Sequence, residues 1–189
     1  MNNIAIFASG SGTNAENIIR FFRTDPDIHV KLVCSNKPGA KVLERAMEHG
    51  IAIFTFTRQE LYETDLVLDK LRTEEIHFIV LAGFLWLVPE NLLDAYPRAI
   101  VNIHPALLPR YGGKGMYGER VHAAVIANGE PTSGISIHYV NEKYDDGDII
   151  FQTTCPLEGT DTPDSLAEKV HALEYEHYPR VIREVVLDR

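Results

Sequence analysis

The chain has 189 residues, 45% of them hydrophobic, enough to bury one substantial core, so residues 1–189 are expected to form a single domain. Its 18 basic and 27 acidic side chains give a formal net charge of −9, which argues against nonspecific nucleic-acid binding, because phosphates demand a basic face. No apolar run is long enough to cross a bilayer, and Met1 to Gly10 enter a strand-like pattern without a basic leader, so a cytoplasmic protein with no membrane partner is expected.

In chain order, Ile4 to Ala8, His29 to Cys34, Ile51 to Phe56, Phe78 to Ala82 and Ala99 to Ile103 are apolar and β-branched, as strands are. Helical periods fill the gaps near Asn14 to Arg23, Ala40 to His49 and Gln59 to Arg72, and a shorter helix starts around Pro89. This alternation predicts an α/β domain with a mostly parallel sheet, helices on both faces and ligands at the carboxyl ends of the strands. The rhythm then changes. Ser133 to Val140 alternates as a half-exposed strand, Glu142 to Gly147 is rich in turn residues, and Asp148 to Cys155 is a further strand that can pair with the first as a hairpin or run side by side with it. A long helix from Pro163 to about Val186 closes the chain. Cys34 and Cys155 each lie in an apolar stretch and read as two buried thiols.

The first strand runs into Ser9-Gly10-Ser11-Gly12-Thr13-Asn14-Ala15. Glycines there allow a tight turn, and the amides of Gly12, Thr13 and Asn14 at a helix N-terminus would suit an anion such as phosphate. The Gly-x-Gly-x-x-Ala spacing also matches a dinucleotide fingerprint, but the second strand ends in Ser35-Asn36-Lys37, without the acidic residue that would hold a ribose. No Lys-Ser or Lys-Thr follows, so a triphosphate loop is not supported. The glycines could also serve only close helix packing.

Asn102-Ile103-His104-Pro105 leaves the end of the fifth strand. Residues two apart share a face, so Asn102 and His104 would enter one crevice, as an oxyanion donor and a group able to move a proton, or as a structural accident. Pro105 and Pro109 would hold the following segment in a fixed path. Asp145, Asp146 and Asp148 flank Gly147 as a solvated acidic turn; a metal loop would need a spacing and a terminal Glu that are missing. A carboxylate against His104 would raise the imidazole pKa and favour imidazolium. His138 shares a polar face with Ser136 and can line the crevice or brace the scaffold. His29, His49, His77, His122 and His177 read as surface or scaffold.

These motifs, with Leu81-Ala82-Gly83-Phe84, Asn102 to Pro109 and Gly134-x-Ser136-x-His138-Tyr139-Val140 running to Asp145-x-Gly147, resemble the phosphoribosylglycinamide formyltransferase family over essentially the whole chain. The resemblance implies a Rossmann-like formyltransferase fold, 10-formyltetrahydrofolate as donor co-substrate, 5-phosphoribosylglycinamide as acceptor and no metal. It makes Asn102, His104 and Asp145 catalytic and puts the acceptor phosphate on Gly12, Thr13 and Asn14, with His171 and Glu174 as further acceptor contacts. The folate would be held by Leu85, Trp86, Leu87 and Val88, largely through backbone groups, and by Asn102, His138 and the Asn141 to Asp145 stretch. Trp86 stands where relatives often carry Arg. Arg110 to Gly118 is longer and richer in glycine than the family pattern, and reads as a lid.

Two related folate enzymes share the Asn-x-His and Asp elements. A formyltetrahydrofolate deformylase would show an additional N-terminal domain and usually a second His at Pro105; a methionyl-tRNA formyltransferase would show a basic surface and an additional C-terminal domain. A folate- or nucleotide-binding module without turnover is the reading from a different class. Oligomeric state has no signature in the sequence.

Overall fold

The apolar runs of the first hundred residues become five parallel strands in the computed structural model, which describes all 189 residues. They are β1 (Asn2–Phe7), β2 (Ile28–Ser35), β3 (Ala52–Thr55), β4 (Phe78–Leu81) and β5 (Ile100–His104). β6 (Thr132–Tyr139) runs antiparallel to β5, and β7 (Ile149–Pro156) forms a hairpin with β6. The strand order β3-β2-β1-β4-β5-β6-β7 reverses between β1 and β4. In such sheets the crevice opens where the order reverses, outside the carboxyl ends of those two strands.

Seven helices complete the fold: α1 (Thr13–Phe22), α2 (Lys41–Glu48), α3 (Arg58–Tyr62), α4 (Leu66–Thr73), α5 (Glu90–Ala95), α6 (Glu119–Ala127) and α7 (Pro163–Leu187). α2, α1, α7 and α6 pack side by side in that order. The connection from β3 back to β4 carries α3 and α4, and the right-handed rule for such crossovers puts them on the opposite face. One apolar core runs from Ile4 to Val186. Within it Tyr178 of α7, fully buried, donates its hydroxyl to the carbonyl of Leu81 at 2.8 Å and so fixes the last helix on the end of β4.

Two elements differ from the sequence reading. The single helix expected over Gln59 to Arg72 is two: the Thr64 hydroxyl donates to the Glu60 carbonyl and accepts from the Leu66 amide, and the helical ladder breaks there. α6 was not expected at all. It begins after Gly118, whose φ of 53° marks a sharp turn out of the glycine-rich segment.

Candidate active site

Ser9, the first residue of the glycine turn, organises the crevice. Its amide donates to the Gly83 carbonyl, and its hydroxyl bonds Asn36 at 2.7 Å and accepts from the Leu85 amide at 3.1 Å. Loops after β1, β2 and β4 are thereby tied together beneath one cleft of about 630 Å³. Gly12 caps α1 with φ 74°, and a Cβ there would meet Val42 at 2.5 Å, so the turn needs glycine both for conformation and for α2's close approach. On the outer side Arg45 Nε donates to the Ser11 carbonyl at 2.9 Å, and the same guanidinium pairs with buried Glu16. The start of α1 thus lines the cleft from a braced turn, and the free amides of a helix N-terminus suit an anion.

β5 delivers Asn102 and His104 to the same cleft, as their shared strand face requires. Beyond β5 the path is fixed by Ser136, whose hydroxyl donates to the Ala106 carbonyl and accepts from the Leu108 amide. The acidic turn sends its carboxylates three ways. Asp148 pairs with Arg98 at 2.9 Å and Asp146 with Lys143 at 3.6 Å, while Asp145, at φ 54°, turns inward. Its Oδ2 lies 3.5 Å from His104 Nδ1 and accepts from the Gly113 amide at 2.9 Å; its Oδ1 lies 3.4 Å from Asn102 Nδ2 and 3.8 Å from His138 Nε2. Amide, imidazole and carboxylate, distant in sequence, meet around one point.

His138 is buried and does not line the cleft. Its Nδ1 faces the Tyr139 carbonyl at 2.8 Å and so carries the proton, which leaves Nε2 to accept from Asn102 Nδ2 at 3.1 Å. The ring orients the Asn102 amide. His104 has an oxygen on each side, because Nε2 lies 2.7 Å from the Tyr111 carbonyl.

Burial pushes the His104 pKa below its ordinary value of 6.5 despite the pull of Asp145. This corrects the expectation of a resting imidazolium: desolvation of the buried ring outweighs one carboxylate. For Asp145 burial acts upward, but the neighbouring His138 and His104 rings and the Gly113 amide prevail and hold it below the ordinary range. The resting pair at neutral pH is carboxylate and neutral imidazole.

His171 and Glu174, one helical turn apart on α7, line the cleft near the glycine turn, with Glu174 Oε2 accepting from Asn14 Nδ2 at 2.8 Å. Burial raises the Glu174 pKa to about 7. Of the four residues expected to hold the folate after β4, only Leu85 lines this cleft. Trp86 turns into a cluster with Phe56, Phe84 and Tyr62, Val88 is buried, and the Leu87 carbonyl takes the Tyr62 hydroxyl at 2.8 Å. Asn141 bonds Asp146 at 3.3 Å on the outer rim.

The Arg110 to Gly118 segment forms the near wall through Gly113 to Gly118. Tyr111, Gly113, Gly115 and Gly118 all have positive φ, so the glycine content reflects a backbone that other residues adopt poorly. Sequence reasoning missed His122. It lies on α6, 3% exposed, and lines the cleft rather than the surface or the scaffold. No group of three or more His, Cys, Asp or Glu side chains is placed to hold a metal ion, and no helix is long and apolar enough to cross a membrane.

A profile of the formyl transferase family matches residues 2–182. The chain is 38% identical to the chloroplastic phosphoribosylglycinamide formyltransferase of Arabidopsis thaliana over 98% of its own length, which spans 66% of that protein. It is 36% identical to the phosphoribosylglycinamide formyltransferase of Bacillus subtilis, covering 98% of this chain and 95% of that one. The crystal structure of glycinamide ribonucleotide transformylase 1 from Geobacillus kaustophilus superposes with a TM-score of 0.88 at 36% identity, covering 98% of both chains. The chain belongs to the formyl transferase family, and its α/β sheet is the Rossmann-like fold of these formyltransferases.

Proposed function

We propose that this protein transfers the formyl group of 10-formyltetrahydrofolate to the amine of 5-phosphoribosylglycinamide. The observation that carries the reading is the single cleft that holds both an anion-binding turn at Gly12 to Asn14 and the Asn102, His104, Asp145 cluster. A phosphorylated acceptor seated on the turn would present its amine toward the cluster. The names borne by the plant and bacterial relatives agree with formyl transfer to this acceptor.

The amine nitrogen bonds to the formyl carbon, and the carbonyl electron pair moves to oxygen. Asn102, oriented by His138, donates to that oxyanion. With the Tyr111 carbonyl withdrawn from Nε2, the proton of neutral His104 rests on Nδ1 against Asp145, and Nε2 takes the proton released by the amine. The resulting imidazolium steadies the oxyanion. As the intermediate collapses, the bond from carbon to the folate nitrogen breaks, its electron pair goes to that nitrogen, and His104 returns the proton there. In this reading residues 110–118 act as a lid, Leu85 is the member of the loop after β4 that meets the pterin, and Tyr144 and Asp145 complete the folate pocket. The setting is cytoplasmic, and the partners are the two small molecules rather than nucleic acid.

Folate absorbance tests it with purified protein. The expected result is a change only when phosphoribosylglycinamide is added with 10-formyltetrahydrofolate. A change without the acceptor would make the protein a deformylase, and saturable binding with no change would make it a binding module; either overturns the assignment.

A further inference from the structure

His122 is a buried imidazole whose Nδ1 has no partner. It lies on α6 between buried Val121 and Val125, and its Nδ1 is sealed from solvent with no hydrogen bond. Such a group has lost water and gained nothing, a state that native structures rarely leave unexplained. The ring lines the cleft, within electrostatic reach of His171 and His104. Burial and those two neighbouring histidines hold its pKa down at about 4, so it is neutral at working pH and a poor base for an amine.

A second orphan lines the same cleft. Asn14 Oδ1 is buried without a donor, while its Nδ2 is committed to Glu174. Asn14 Oδ1 can only accept a hydrogen bond, whereas a neutral imidazole offers one donor and one acceptor. The lining of the cleft therefore carries unmet hydrogen-bonding capacity on two uncharged side chains. An acceptor bridging the turn and the reaction centre has a phosphate at one end, an amine at the other and a sugar between them. Hydroxyl groups both donate and accept, which matches these orphans.

We propose that His122 is a specificity residue that hydrogen-bonds a sugar hydroxyl of the acceptor, with Asn14 Oδ1 accepting a second hydrogen bond beside it. The inference rests on the acceptor reading given above. In it His122 takes no part in proton transfer; it sets where the sugar sits, and so how the amine meets the formyl carbon.

The test compares wild type, His122→Phe and His122→Gln, each checked for native folding by circular dichroism, with the acceptor and its 2′-deoxy and 3′-deoxy forms. Wild type should bind at least one deoxy form about 10-fold more weakly by calorimetry, as expected when buried polar groups lose a partner. His122→Phe should raise the acceptor KM about 10-fold, leave the folate KM within about 2-fold, and bind the acceptor and that deoxy form equally. His122→Gln, which keeps a donor and an acceptor, should recover part of the discrimination. Equal discrimination by wild type and His122→Phe overturns the role of His122. Failure of wild type to bind phosphoribosylglycinamide at all overturns instead the acceptor reading on which it rests.

Discussion

His104 Nδ1 lies 3.5 Å from Asp145 Oδ2, and the imidazole nevertheless titrates below its ordinary value. Burial of the ring works against the charge that the carboxylate favours, and burial prevails. Asp145→Asn removes the opposing influence and leaves burial unopposed, so the His104 pKa should fall further. With His104 as the base, kcat/KM in wild type should rise with pH along a limb centred below 6.5. In Asp145→Asn that limb should move to lower pH, and kcat should drop about 100-fold as Nδ1 loses its orienting partner. An NMR titration of the imidazole and a pH profile measure the two effects. A limb that stays in place would separate Asp145 from His104.

Asn102 lines the cleft with its amide oriented by His138 Nε2, 3.1 Å away. Asn102→Ala and His104→Ala should each lower kcat by about 100- to 1000-fold, the usual cost of losing one oxyanion donor or proton carrier. Thermal melting should show both variants folded. His138→Ala should do less damage, because it frees the amide without removing it. Near-normal turnover in Asn102→Ala would overturn the role given to it.

The glycine turn is held from outside by Arg45, through the Ser11 carbonyl and buried Glu16. Arg45→Met should loosen the turn and raise the acceptor KM about 10-fold with kcat and the folate KM little changed. It also leaves Glu16 with Arg20 and His49 alone, at a cost of about 1–3 kcal/mol of stability. Gly12→Ala is the harsher change, since it adds about 1–2 kcal/mol of left-handed strain to a clash with Val42. Calorimetric affinity for the acceptor should fall in both variants, more in Gly12→Ala, and unaltered affinity in both would detach the anion from this turn.

Glu174 has its pKa raised by burial to about 7 from 4.5. The folded state therefore holds this proton more tightly than the unfolded chain, and stability is lost as pH rises from 4.5 towards 7. The full shift corresponds to about 3 kcal/mol. Glu174→Gln keeps the hydrogen-bonding shape and removes the titration. Urea unfolding at pH 5 and pH 8 should show wild type losing more stability than the variant over that interval, and parallel pH dependence would place the Glu174 proton elsewhere.

How much of this could be read from the residues depended on how local the signal was. The alternation Asn102, Ile103, His104 gave the strand face, and Gly10 to Ala15 gave the tight turn before a helix, because both rest on periods of a few residues. The break at Thr64 was hidden, since a helix-compatible pattern continues through it and only a side-chain bond to Glu60 interrupts the ladder. α6 was hidden behind the glycines that precede it, and His122 with it. Asp145 and Asp146 are indistinguishable in sequence; the positive φ of Asp145 turns one inward while its neighbour pairs with Lys143. The direction of the His104 shift is hidden for a related reason, as partners can be inferred from motifs but desolvation depends on the assembled walls.

His122 yields a prediction independent of turnover. Its folded pKa is about 4, depressed from 6.5 mainly by burial. A depressed pKa contributes stability that is present above 6.5 and lost as pH falls towards 4, because the unfolded chain takes up the proton first. The shift amounts to about 3 kcal/mol at most. His122→Phe has no proton to gain. It should be less sensitive to acid than wild type between pH 6.5 and 4, even where its absolute stability at pH 7.5 is lower. Glu174 acts in the opposite sense over part of this range but is common to both proteins, so the difference between their urea midpoints isolates His122. If the two curves fall in parallel, the ring is reached by water in the folded protein, and its orphaned Nδ1 already has a solvent partner.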